Sequence, residues 1–144
     1  MRLQGLAVFV NFRLWACLGL VACATDAVGV DTCRKIEYAR CDAASHCPGT
    51  FGAIDPGACR RFYRDHCLHG LPAADPGAKV NSCVGDIDSL GACAAQAQDS
   101  TPLTSCDPSI VSLDPAILTA CALLSQPEKI KSCSFLSPPE DAGH

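Results

Sequence analysis

Four histidines and twelve cysteines are the side chains of this chain best suited to acid–base, metal or redox chemistry. His66 has the densest setting, with Arg64 and Asp65 before it and Cys67 after it. Neighbours on a helix point about 100° apart, so Asp65 and His66 cannot form a proton-relay dyad with each other. His46-Cys47 and His66-Cys67 put two zinc-ligand types side by side. Structural zinc sites use closely spaced ligand pairs, roughly two to four residues apart, whereas the shortest cysteine interval here runs from Cys41 to Cys47. No Gly-x-Ser-x-Gly nucleophile turn and no nucleotide-binding glycine loop occurs. The expectation is a protein without catalytic residues, metal or cofactor.

The charged residues suggest binding. Arg34, Lys35, Arg60, Arg61 and Arg64, with Arg40 near them, form a basic row that could hold an anionic lipid head group, a polysaccharide or an acidic partner. Glu37 and Asp65 interrupt it. From Thr25 to Gly70 six basic residues balance six acidic ones, and from Leu71 onward three lysines face nine acids. That balance argues against nucleic acid as a partner.

Positioning of the row falls to two segments, Cys33 to Cys41 and Cys59 to Cys67, each with cysteines eight positions apart and two basic residues after the first. Eight positions on a helix span ~12 Å, and a disulfide needs Cα atoms within about 7 Å. Neither helix can close on itself. Two antiparallel helices joined by Cys33–Cys67 and Cys41–Cys59 satisfy the geometry, and spacing leaves the other pairings open.

Four Asp-Pro pairs, at Asp55, Asp75, Asp107 and Asp114, are candidate helix starts, since Asp caps free amides and proline suits the first helical position. The periodicity predicts a helix from about Thr32 to Ser45 capped by Asp31, and a second from Pro56 to about His69, with Gly70 as its left-handed terminator. Cys59, Phe62, Tyr63, His66 and Cys67 share the inner side of the second, where His66 packs beside Cys67. A third begins at Pro76 and breaks before Asp88, because Gly85 and Gly91 weaken it. A fourth runs from Pro115 to before Pro127, burying Ile117, Leu118, Cys121 and Leu124. Gln96 to Cys106 reads as a loop. The fold class expected is all-α, a small disulfide-rich bundle of about four short helices containing a cross-linked hairpin. Tyr38, Phe51, Phe62, Tyr63 and Phe135 are the aromatic residues left to build its core.

The apolar run Leu14 to Ala22, preceded by Arg2 and Arg13, has the length of a signal-peptide core and is short for a membrane span. Ala22-Cys23-Ala24 suits ordinary signal peptidase, while Leu20-Val21-Ala22-Cys23 resembles the lipobox of bacterial lipoproteins. The resemblance implies cleavage before Cys23 and lipid attachment to it. Ala24, where a retention signal has Asp, implies the outer membrane. Either cut removes Cys17 from the twelve, and Cys23 pairs with lipid or leaves with the leader. The remainder, Cys33, Cys41, Cys47, Cys59, Cys67, Cys83, Cys93, Cys106, Cys121 and Cys133, reads as a disulfide framework.

With its alanine-rich, lysine-poor composition, the chain resembles the cysteine-rich lipoproteins of Gram-negative soil bacteria such as myxobacteria. Paired-cysteine helices are also similar in logic to mitochondrial twin-cysteine proteins, which keep nine residues between cysteines and have no cleaved signal. The expected organisation is a signal peptide over 1–22, a lipidated linker over 23–30, a stapled helical domain over 31–133 and a disordered tail over 134–144. The expected role is a non-enzymatic binding module of the cell envelope, held to the membrane by its lipid, with an envelope protein or polysaccharide as partner. The rival is a small secreted hydrolase, or an enzyme inhibitor presenting the loop Gly49 to Ile54.

Overall fold

The computed structural model describes residues 29–51, 55–71 and 79–137, with the side chains of Thr50 and Phe51 left out. The leader with Cys23, the Asp75-Pro76 helix start, residues 52–54 of the proposed inhibitor loop and the tail from 138 lie outside the described residues. What is described is helical and strandless: α1 Val30–Ala44, α2 Pro48–Phe51, α3 Pro56–His66, α4 Lys79–Ala97 and α5 Ala120–Ser125, joined by short 3₁₀ turns. Five disulfides tie these elements together, Cys33–Cys67, Cys41–Cys59, Cys47–Cys121, Cys83–Cys133 and Cys93–Cys106.

The hairpin is the one that the cysteine spacing predicts, with Cα atoms 5.6 Å apart across both of its bridges. Its first helix starts differently. Gly29, and not Asp31, is the N-cap of α1, with φ 85° and its carbonyl accepting from the Cys33 amide. An L side chain is strained at that φ, and a Cβ there would meet Leu71 at 3.3 Å. Asp31 sits inside the first turn, exposed. For α3 the expected cap holds, since the Asp55 carboxylate accepts from the Gly57 and Ala58 amides. Gly70 ends the following 3₁₀ turn at φ 70°.

The expected break in α4 does not occur; the helix runs unbroken through Gly85 and Gly91. A Cβ on Gly91 would lie 2.8 Å from the Ala43 methyl, so this glycine lets α1 and α4 approach closely. Contact with α1 supports the helix locally, which outweighs a propensity cost of about 1 kcal/mol per glycine. Gln98, at φ 52°, turns the chain out of α4. Buried Thr101 closes that end, its hydroxyl accepting from the Ala97 amide at 2.9 Å.

The fourth predicted helix is shortened to α5. Asp114 makes a side-chain turn instead of a helix cap, accepting from the Ala116 amide at 2.9 Å, and Asp107 does the same for Ser109. Residues 117–119 are then drawn out to pair with Thr101–Leu103, the Leu103 amide donating to Leu118 and the Ala120 amide to Thr101. Thr119 therefore caps α5, and Leu118 points outward, 70 % exposed. A second isolated bridge joins Ser112 to Ile130. Ser134 to Leu136, expected in the tail, belong to the 3₁₀ turn Lys131–Leu136, where Phe135 and Leu136 pack on the core.

The core lies between α1, α4, α5 and the C-terminal turns. Its largest fully buried side chains are aliphatic, Ile36, Ile87, Leu90, Leu123, Leu124 and Ile130, interleaved with Cys47, Cys83, Cys121 and Cys133. The few aromatic residues contribute little to this core, which aliphatic side chains and bridged cysteines fill. Phe62 is 59 % exposed and Phe135 only partly buried. Phe62 stays outside because α3, none of whose residues is fully buried, rests on α1 through the two bridges.

Candidate functional site

Arg34 and Arg64 are the members of the basic row that the hairpin brings together, the Arg34 guanidinium donating to the Arg64 carbonyl at 3.0 and 3.3 Å. The others diverge. Lys35 turns to α4 and donates to Asn81 at 2.6 Å. Arg60 is paired with Asp42 and lies over the Tyr38 ring. Arg61 faces Asp55 at 3.8 Å, and Arg64 pairs with Asp65 at 2.8 Å. The Arg64 guanidinium holds the Asp65 carboxyl below its usual range. Arg40 is largely buried, bonded to both Glu37 oxygens and, across to α5, to the Leu124 carbonyl. Each cation of the row thus faces an acid or a neutral acceptor, so the hairpin is a set of separate local pairs and not one field of positive charge. Exposed pairs of this kind contribute little to stability.

The inner face expected of α3 is split. Cys67 is buried, but Phe62 and His66 turn to solvent and stack on each other at 5.1 Å, with Tyr63 edge-on to both. His66 therefore does not pack in the interface. Helical spacing puts Phe62 and His66 at i and i+4, on the flank of the Cys59–Tyr63–Cys67 stripe that meets α1. Burial pushes the Tyr63 phenol above its ordinary value, and the Glu37 carboxylate adds to this while Arg40 opposes it.

A different place has the form of a site. Between the first half of α4 and the C-terminal turns lies a cavity of ≈ 340 Å³, lined by Lys79, Ser82, Asp86, Ser109, Lys131, Ser132 and Ser134. Helical spacing puts Lys79, Ser82 and Asp86 on one side of α4. The Cys83–Cys133 bridge, with Cα atoms 4.9 Å apart, joins that wall to the Lys131–Leu136 turn. The Ser132 hydroxyl donates to Asp86 at 2.6 Å and closes the same seam. Two lysines, four serines and an aspartate line it, with Ser132 and Asp86 bonded to each other. No histidine lines the cavity, so the Ser132–Asp86 pair lacks the imidazole of a Ser–His nucleophile. The arrangement suits recognition through charge and hydrogen bonds.

None of these residues stands out in the sequence. The available signal is serine beside cysteine, at Ser82-Cys83 and Ser132-Cys133-Ser134, and it acquires meaning only once Cys83 is known to pair with Cys133. All ten described cysteines are bridged, and among the described residues no group of three or more His, Cys, Asp or Glu side chains could hold a metal ion. No helix among them is long and apolar enough to cross a membrane. No protein-family model, curated protein or solved structure matches the chain.

Proposed function

We propose that this chain is an exported, non-enzymatic binding module of a bacterial cell envelope, anchored to the outer membrane through lipid on Cys23. The observation that carries the reading is that every cysteine from Cys33 to Cys133 is bridged. Bridges of this number persist in an oxidising compartment, where the leader and the lipobox-like Leu20-Val21-Ala22-Cys23 would deliver the chain. Sulfur committed to cross-links is withdrawn from nucleophilic and metal-binding work. A rigid frame with a cavity lined by lysine, serine and aspartate on its surface then favours holding a partner over transforming one.

The test is palmitate labelling and membrane fractionation in a Gram-negative host, comparing the natural chain with Cys23→Ala. Label and membrane association are expected for the first and lost in the second. Unlabelled protein beginning at Thr25 in the periplasm or medium would replace the anchor with ordinary secretion. Binding is examined separately by capture from an envelope extract, where a retained partner that is not turned over is the expected result.

A further inference from the structure

We infer that the cavity between α4 and the Lys131–Leu136 turn binds a polyhydroxylated anion of monosaccharide size, a sugar carrying a carboxylate or a phosphate. The inference deepens the reading of the chain as a binding module and rests on it. The volume of ≈ 340 Å³ falls at the lower end of the ~300–1,000 Å³ usual for small-molecule sites, which admits an occupant of monosaccharide size. The chemistry follows from the lining. Lys79 and Lys131 belong to opposite walls, one at the start of α4 and the other at the start of the C-terminal turn. Together they outweigh Asp86, so the cavity carries an excess of one positive charge.

Lysine recognises carboxylate or phosphate as a point charge and does not demand a planar, forked geometry. Ser82, Ser109, Ser132 and Ser134 each offer a hydroxyl able both to donate and to accept, which matches a ligand that itself bears several hydroxyls. Asp86, held by Ser132 at 2.6 Å, keeps acceptor capacity for a ligand hydroxyl. The lining also exposes side-chain carbon, which suits the C–H faces of a sugar ring, and a bare inorganic anion would engage the lysines while leaving most of the hydroxyls to water. The walls are preformed, since Cys83–Cys133 ties them covalently, so binding costs little ordering of the backbone.

Glucuronate, glucose 6-phosphate, glucose and inorganic phosphate titrated calorimetrically into the purified, oxidised protein provide the test. Glucuronate or glucose 6-phosphate, or both, is expected to bind saturably at one site, about tenfold more tightly than glucose or phosphate alone, and to weaken as salt is raised. Which of the two binds tells a sugar acid from a sugar phosphate. The exposed pair Lys79→Gln with Lys131→Gln should weaken that binding about tenfold, while Lys129→Gln, outside the lining, should leave it unchanged. Ser132→Ala keeps both charges and is expected to lower affinity without altering the salt dependence. Equal binding of glucose, no binding of either sugar anion, or indifference to the double lysine change would overturn the assignment. Conversion of the bound sugar to a new species, followed by NMR, would instead end the non-enzymatic reading and leave the site in place.

Discussion

Two glycines on one helix play opposite parts. Gly91 faces the Ala43 methyl at a distance no side chain could share, while a Cβ on Gly85 would meet nothing within 4 Å. Gly85→Ala is therefore expected to stabilise the domain by about 1 kcal/mol, the propensity difference in an exposed helix interior. Gly91→Leu should destabilise by ~1–3 kcal/mol through overpacking against α1. Denaturant titration separates the two, and equal effects would show that α1 and α4 are not in close contact. Charge makes a second residue-scale prediction. Desolvation, and then the nearby Asp42 carboxylate, pushes the Asp88 carboxyl above its ordinary value. A carboxyl raised on folding favours the native state while protonated, and that contribution is lost as pH rises through its folded pKa. Asp88→Asn should thus gain roughly a few tenths of a kcal/mol at neutral pH, because exposure keeps the effect small, and gain nothing below the unfolded aspartate range. Thermal melts at both pH values check the sign, and an equal gain at each would place the cause outside ionisation.

At the scale of elements, α3 is attached and not embedded. None of its own side chains is fully buried, and the principal core cluster draws on α1, α4, α5 and the C-terminal turns but includes no α3 residue. Its place depends on Cys33–Cys67 and Cys41–Cys59, aided by exposed pairs such as Arg60 with Asp42. Replacing those four cysteines with serine is expected to free α3 while the rest stays folded. Trypsin would then cut at Arg60, Arg61 and Arg64 roughly tenfold faster or more, since local opening governs access, and α4 would stay protected. Loss of the whole helical signal in that variant would show that the hairpin is integral to the core. The same construction accounts for the exposed Phe62–His66 stack: a helix held by sulfur at Cys59 and Cys67 has no need to bury its aromatic rings.

For the molecule as a whole, cross-links replace the volume that larger side chains would supply. Each bridge contributes ~2–4 kcal/mol, against a net stability of about 5–15 kcal/mol for a domain of ordinary size. Reduction of all five is expected to unfold the protein at moderate temperature, seen as lost helical circular dichroism, and a near-native spectrum in reductant would contradict this. The helical class and the hairpin were legible in the residues because cysteine spacing, Asp-Pro at Asp55 and apolar periodicity are local signals that agree with one another. Local signals misled wherever a distant partner intervened. Gly91 reads as a breaker until Ala43 is seen against it, and Asp114-Pro115 reads as a helix start until Thr101–Leu103 draws residues 117–119 into an extended pairing. The basic row was visible as composition, but its separation into local pairs depends on where Asp42, Asp55 and Asn81 come to lie. The cavity was wholly hidden, its two walls being 50 residues apart at the bridge that joins them. What the chain alone determined was periodicity, turn chemistry and the abundance of sulfur, all of which act between near neighbours. Which cysteines meet across the core, which faces stay wet and which residues line one cavity were decided by tertiary structure, because only long-range packing brings residues far apart in sequence within reach of one another.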